Sequence, residues 1–155
     1  MKNAIFDGNI SLEYPDDFYE MDEAEISKFF AGDMLRFGAR NKEKQVILSL
    51  GKTNKSFMNL LASPKSVLAG AENNFKNNLK DYKLLEEFAV DMLDKAGCGI
   101  RFSYSAIDKD VKQFCEMVVV KAKGVFYISY CLARLDDQKE NEEVFKAFRN
   151  SLKLA

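Results

Sequence analysis

Three consecutive strand-like runs near the end of this chain restrict the folds that it can adopt. Residues 100–107, 111–122 and 125–133 are rich in Val, Ile, Phe and Tyr, which favour β-strands. Only short polar stretches at residues 108–110 and 123–124 separate them, and these predict tight turns. The third run is apolar on both faces, which is typical of a strand covered on both sides. We therefore expect an antiparallel meander with further layers packed against it.

Apolar residues with helical spacing predict two long helices. The first begins at Ser63-Pro64, a cap followed by a first-turn proline, and ends near Lys80. The second is capped by Asp137 with Glu140. The apolar stripes are Val67, Ala71, Phe75 and Leu79 in the first helix, and Val144, Phe145, Phe148 and Leu152 in the second. Each stripe is expected to pack against the sheet.

The first half of the chain adds a strand, a short helix and a hairpin. Apolar and polar residues alternate over residues 10–14, which predicts the strand. Asp22 precedes Glu25 by three positions, and this spacing indicates a capping box at the start of the helix. Two further alternating runs, residues 35–40 and 45–51, flank a short polar stretch and are expected to pair antiparallel.

The element order predicts an α+β fold with a mostly antiparallel sheet. We expect about six strands, covered by α-helices on both faces. Residues 82–92 fit one face of a strand as well as a helix, so periodicity leaves that segment open. A length of 155 residues suits one domain over residues 1–155 and is short for two.

The residue types available limit catalysis and metal binding. The chain contains no His, which excludes His-dependent catalytic triads and His-ligated zinc. Cys115 and Cys131 fall in apolar strands, where Cys behaves as a small hydrophobe. Cys98 lies between two glycines and is expected to be accessible, with Lys95 or Arg101 as the candidates to lower its pKa. We predict no catalytic residue, no metal site and no cofactor.

Phosphate binding, nucleic-acid binding and membrane insertion are not indicated either. Gly51-Lys52-Thr53 follows a strand as the end of a phosphate-binding loop does, but Val46 stands where that loop needs its first glycine. Basic residues are scattered, and the sequence pI of about 5.6 predicts no nucleic-acid partner. The most apolar stretch, residues 124–133, is about half of the roughly 20 residues that span a bilayer. With spaced cysteines and no signal-like start, we expect a cytoplasmic protein.

The stretch LEYPDDFYEMDEAE at residues 12–25 is strongly acidic. It lacks the spacing of a calcium-binding loop. Carboxylates in the first turn of a helix are stabilised by the helix dipole, which explains the acids from Asp22 onwards. Asp16, Asp17 and Glu20 are left without a local explanation, so they are the candidate partner-binding residues. In support, residues 1–35 hold nine acidic and two basic residues.

The two ends of the chain resemble the PsbP-like superfamily. The start ISLEYPDDF resembles its first strand, followed by Pro, two residues and an aromatic, with Phe18 in place of the usual Trp. The end, with FYISY, then NEEVF and NSL, is similar to its last strand and last helix. Photosystem II extrinsic subunits, the Mog-type Ran-binding factor and small bacterial proteins share this fold. The resemblance implies a PsbP-like sandwich in which residues 82–92 form a strand. Because the chain has no His, the metal binding of some plant members is not transferred.

The resemblance implies that the sheet and its helices are used to bind proteins rather than for catalysis. We therefore expect a non-enzymatic protein-binding or adaptor domain whose partner is another protein. One bacterial branch of the family resembles chaperones of type VI secretion effectors, which is a narrower form of this hypothesis. The alternatives are a small-ligand-binding protein or enzyme whose site forms only in three dimensions, and a self-associating homodimer.

Overall fold

A computed structural model of the chain describes residues 1–32, 34–106 and 110–154, apart from the side chain of Phe57. The elements in chain order are β1 Lys2–Phe6, β2 Ile10–Tyr14, β3 Tyr19–Glu20, α1 Glu23–Phe29, β4 Leu35–Asn41, β5 Val46–Lys52, α2 Phe57–Leu61, α3 Pro64–Asn78, β6 Lys83–Met92, β7 Lys95–Ser105, β8 Lys112–Ala122, β9 Val125–Arg134, a 3₁₀ turn Leu135–Asp137, α4 Gln138–Ser151 and β10 Lys153–Leu154. Across these ranges, no helix is both long enough and apolar enough to cross a bilayer.

The strands form two antiparallel sheets. The larger has seven strands in the order β3-β4-β5-β9-β8-β7-β6, and the smaller has three in the order β1-β2-β10. The predicted α+β, mostly antiparallel architecture is confirmed, as is the strand at residues 82–92, which is β6. The second sheet was not predicted. Its outer strands carry no strand signal, because apolar and polar residues do not alternate in β1 (KNAIF) and β10 has only two residues.

The predicted meander is present, but β7 is longer than expected. β8 and β9 are joined by Lys123 and Gly124, both with positive φ (52° and 79°), which makes the tight hairpin turn that the sequence predicts. The turn predicted at residues 108–110 falls mostly outside the described residues. β7 begins at Lys95 rather than at residue 100, since the preceding turn lies at Leu93 and Asp94. The Gly-Cys-Gly segment is therefore part of a strand.

Two glycines in β7 are required by close packing. A Cβ on Gly99 would lie 2.6 Å from the ring of Phe88 in the neighbouring strand. A Cβ on Gly97 would overlap the backbone carbonyl oxygen of Val119 and lie 2.5 Å from a methyl group of Val120. A side chain at either position would collide with neighbouring atoms, so both positions require Gly.

We expect Gly97→Ala to lower the free energy of unfolding by about 1–3 kcal/mol, since β7 must move away from β8 to accept the methyl group. Urea unfolding followed by circular dichroism measures the change. The matched control is Gly70→Ala in the middle of α3, where a Cβ meets nothing within 4 Å. That substitution is expected to stabilise the protein by about 0.5–1 kcal/mol. Equal effects at both positions would contradict the packing argument.

The apolar core consists of two clusters on opposite faces of the larger sheet. Alternate residues of β8 belong to different clusters: Phe114 lies in the first and Cys115 in the second. α4 contributes Phe145 to the first cluster, where its ring stacks on Phe114 with centroids 5.8 Å apart. α3 contributes Leu68 to the second. The two predicted helices thus contribute to different clusters.

The helix starts differ from the predicted caps in two details. Asp22 caps α1 as expected, because its Oδ1 accepts from the backbone N–H of Glu25 at 2.8 Å. The Glu25 carboxylate does not complete a capping box, since it accepts from Tyr19 and Arg40 instead. The prediction that Asp137 caps α4 with its side chain is wrong. Its Oδ2 accepts from the guanidinium of Arg134 at 2.9 Å, so the side chain makes no hydrogen bond to the first backbone N–H groups of α4.

Candidate functional site

The structure uses two of the three predicted partner-binding acids in ion pairs within the chain. Asp16 Oδ1 lies 2.9 Å from the amino group of Met1. Asp17 Oδ2 accepts from Lys44 Nζ at 2.9 Å, and this hydrogen bond lowers the pKa of the Asp17 carboxyl group. Glu20 lies in the short strand β3 and is exposed. All three carboxylates reach solvent, but two already have a cationic neighbour that a partner would have to displace.

Cys98 is half-buried and its environment opposes thiolate formation. Burial raises the pKa of its thiol, and the nearby Lys65 offsets this only in part. The cation that lowers the pKa of this thiol is Lys65, and not Lys95 or Arg101 as the sequence suggested. Arg101 is occupied, because its guanidinium is hydrogen-bonded to Glu86 and to Glu116. A nucleophilic cysteine requires a lowered pKa, so Cys98 lacks the environment for that role.

We expect Cys98 to react with iodoacetamide more slowly than free cysteine at about pH 8, because its raised pKa leaves less thiolate. Cys115 and Cys131 are fully buried, and burial raises the pKa of Cys131 to about 12, so they should react only after unfolding. A mass-spectrometric time course, with the unfolded chain as the control, measures all three. Modification of Cys98 faster than free cysteine would contradict this assignment.

The remaining catalytic and metal possibilities have structural explanations. Lys52 Nζ forms an ion pair with Asp7 and not an open phosphate cradle. Thr53 continues the pairing of β5 with β9, since its backbone N–H donates to the Phe126 carbonyl at 3.0 Å and its Oγ1 accepts from the Phe126 N–H at 2.9 Å. Within the part of the chain that the structure describes, no three His, Cys, Asp or Glu side chains come together as a metal site.

One groove lies between α3 and the strands β6 and β7, of which β6 is the edge strand. It has a volume of ≈ 380 Å³, within the range of small-molecule pockets. Leu68, Phe88 and Ile100 are among its apolar lining residues. Glu72 and Glu87 add carboxylates to the same lining. Such a groove can hold a small, largely apolar molecule.

The short helix α2 is held in place by polar contacts. Ser56 Oγ accepts from the backbone N–H of Asn59 at 3.1 Å and caps the helix. The Asn59 side chain donates to the Asn54 carbonyl at 2.6 Å. Lys121 Nζ reaches from β8 and donates at 2.8 Å to the carbonyl oxygens of both Leu60 and Ala62. A helix of five residues is not stable alone, and these contacts fix it to the rest of the protein.

Three large apolar side chains of α2 face solvent. Met58 is 75% exposed, Leu60 61% and Leu61 74%. We call these three residues the α2 apolar surface. Adjacent exposed apolar side chains on a soluble protein mark surfaces that bind other molecules. The hydrogen bonds of Ser56, Asn59 and Lys121 leave these three side chains free of any role in polar contacts.

A cleft rich in lysine lies beside α2. It is lined by Lys52, Lys55 and Lys123, together with Asp7 and polar groups of the β5–α2 segment, and its volume is ≈ 390 Å³. We call it the lysine cleft. Three cations against one carboxylate give its lining an excess of positive charge. The β1–β2 turn, the β5–α2 segment and the β8–β9 turn meet here at one end of the larger sheet.

Neither of these features was predicted from the sequence. α2 spans little more than one turn, so a period of 3.6 residues cannot be recognised in it. The available signal was Ser56 as a cap before a short apolar run, and it does not reveal that the run is exposed. The lysines of the cleft are up to 71 positions apart in sequence, so only the fold brings them together.

Solved structures share this fold across nearly the whole chain. LpqN of Mycobacterium tuberculosis, involved in cell envelope biogenesis, is 17% identical with a TM-score of 0.62, over 94% of this chain and 83% of LpqN. Cyanobacterial PsbP (CyanoP) from Synechocystis sp. PCC 6803 is 12% identical with a TM-score of 0.67, over 94% and 86%. The Ran-binding protein Mog1p of Saccharomyces cerevisiae is 10% identical with a TM-score of 0.61, over 98% and 95%.

These similarities confirm the PsbP-like fold that the ends of the sequence suggest. At such low identity they establish the fold alone. No protein-family model matches the sequence. No protein of curated function matches it either.

Proposed function

We propose that this chain, which has a PsbP-like fold, is a non-enzymatic cytoplasmic protein-binding domain formed by residues 1–155. The observation that carries the proposal is the α2 apolar surface. Met and large apolar side chains at the centre of a contact are typical of protein interfaces. The Ran-binding protein Mog1p, which has the same fold, supports protein binding as one use of this architecture.

The chemistry of the reactive side chains supports a binding role over catalysis. The Cys98 thiol has a raised pKa, and Lys52 is engaged by Asp7. Without His, the chain also lacks the side chain that most often serves as a general base near neutral pH.

Affinity capture with matched variants tests the proposal. Wild-type protein should retain a specific protein from lysate of its native cells, and Met58→Ser with Leu61→Ser should lose it. Ile5→Ser is the control, because Ile5 is an exposed apolar residue of β1 in the other sheet. Capture by all three forms alike, or by none, would contradict the assignment to α2. A captured secretion effector with an apolar helix would support the narrower chaperone hypothesis.

Asp16, Asp17 and Glu20 are proposed as a second, weaker contact surface. Asp16→Lys with Asp17→Lys should reduce capture of the same partner about tenfold or less, because exposed charges at the rim of an interface change affinity modestly. Quantitative mass spectrometry of the captured protein measures the change. Unchanged capture would mean that Asp16 and Asp17 do not contact the partner and only form ion pairs with Met1 and Lys44.

The groove beside α3 supports binding of a small apolar molecule as a second candidate function. Native mass spectrometry of freshly purified protein and a thermal-shift screen of metabolites would detect such a ligand. Ala89→Phe places a ring in the groove and should abolish any shift, since Ala89 lines it and is exposed. If neither method detects a ligand, or if the shifts persist in that variant, this candidate is wrong.

A further inference from the structure

The α2 apolar surface and the lysine cleft are parts of one continuous surface. Lys55 lines the cleft and stands directly before Ser56, the cap of α2. On the other side, α2 contacts the β8–β9 turn that carries Lys123. A Cβ placed on Gly124 would lie 3.2 Å from Cδ2 of Leu60. A single bound segment can therefore touch the apolar side chains and the lysines at the same time.

The charge of the cleft selects the kind of group that it can bind. Lys52 is paired with Asp7, which partly neutralises that side of the cleft. Lys55 and Lys123 are exposed, and neither forms an ion pair with any residue in the described ranges. Two exposed ammonium groups at a concave surface favour carboxylates from a partner.

The shape of the surface favours a polypeptide over a membrane. A bilayer meets a protein as a broad and nearly flat surface, whereas the lysines line a concave cleft of ≈ 390 Å³ beside α2. A polypeptide can place carboxylate side chains in the cleft and apolar side chains on Met58 and Leu61 from neighbouring positions along its chain. The hydrogen bonds from Lys121 hold α2 in a fixed position, so less conformational freedom is lost on binding.

Building on the protein-binding function proposed above, we propose that this surface binds one segment of a partner protein in which carboxylates stand beside apolar side chains. The apolar residues of the segment pack on Met58, Leu60 and Leu61. Its carboxylates pair with Lys55 and Lys123. The binding is therefore expected to weaken as salt concentration rises.

Selection from a random-peptide phage library on the full chain tests this proposal. The enriched peptides should combine Asp or Glu with large apolar residues. Their affinity, measured by fluorescence anisotropy of labelled copies, should fall roughly tenfold or more for Lys55→Glu with Lys123→Glu, and also for Met58→Ser with Leu61→Ser. Lys139→Glu with Lys146→Glu, which reverses two exposed charges of α4, is the matched control and should bind as the wild type does. Thermal unfolding by circular dichroism verifies that each variant folds.

Several outcomes would overturn the proposal. These are no enrichment, enriched peptides without acids, or binding that the lysine variant leaves unchanged. Binding of phosphatidylserine vesicles that both variants lose, without peptide enrichment, would assign the surface to membranes. Concentration-dependent dimers that both variants abolish, seen by light scattering, would assign it to a second copy of this chain.

The peptide experiment is separable from the capture experiment. If a partner captured through α2 is insensitive to Lys55→Glu with Lys123→Glu, the protein-binding function stands and the acidic segment is wrong. If no partner depends on α2, both fail.

Discussion

Replacing Glu116 with Gln is expected to lower the free energy of unfolding by about 3–5 kcal/mol, as is typical when one partner of a buried ion pair is removed. Glu116 is 1% exposed and lies on β8. Its Oε2 accepts from Arg101 Nε at 2.9 Å, and its Oε1 accepts from Arg149 Nε of α4 at 2.7 Å. Without the negative charge, two guanidinium groups remain close together, and that of Arg149 is almost completely buried.

Urea unfolding followed by circular dichroism measures this change. The control is Glu86→Gln, which removes the other carboxylate bound to Arg101. The Glu86 side chain is 50% exposed, so its loss should cost less than about 1 kcal/mol. Replacing all three charged residues with Leu at 116 and Met at 101 and 149 should restore much of the lost stability, because an apolar set also removes the desolvation cost. Equal effects of the two Gln variants would contradict a buried network.

Phe102→Ala is expected to lower the free energy of unfolding by a similar amount, about 3–5 kcal/mol, because it leaves a cavity that the surroundings fill only in part. Phe102 is fully buried on the face of β7 that α3 covers. Its ring centroid lies 4.7 Å from that of Phe75 in α3 and 5.3 Å from that of Tyr82. The loss should therefore also loosen α3.

Hydrogen exchange of the α3 amides, together with urea unfolding, tests this prediction. Relative to the wild type, the variant should speed exchange of the α3 amides more than that of the α4 amides, because α4 contributes to the other cluster. Phe29→Ala is the matched control, since Phe29 is exposed and its ring contacts the guanidinium of Arg40 at 4.6 Å. It should cost less than about 1 kcal/mol. If the two Phe variants lose similar stability, the buried aromatic cluster does not stabilise α3.

The sequence predicted the elements whose pattern is long and local. β2 and the hairpin of β4 and β5 have the expected positions, and α3 begins at Pro64 as its cap indicates. These succeeded because side-chain alternation and capping depend on neighbouring residues only. β7 was predicted too short, since its glycines indicate a break unless the atoms of the next strand are known.

The candidate site was predicted less well than the fold. Asp16, Asp17 and Glu20 stood out because acids are visible in a sequence, but the ion pairs with Met1 and Lys44 are not. The exposed side chains of α2 were not predicted, because apolar residues carry no mark of exposure in a sequence. Apolar residues are ordinarily assigned to a core, and their exposure depends on what packs around them.

By itself, the sequence determined an antiparallel α+β architecture, excluded His-dependent chemistry and indicated the PsbP-like fold. The first two conclusions rest on periodicity and on composition, and the third rests on the resemblance of the two ends of the chain to that family. Only the tertiary structure decided that Glu116, a single charge within an apolar run, joins Arg101 and Arg149 in the interior. It also decided that Lys123 of the β8–β9 turn meets Lys52 and Lys55 beside α2. Both depend on contacts between residues distant in sequence, and no local pattern encodes those contacts.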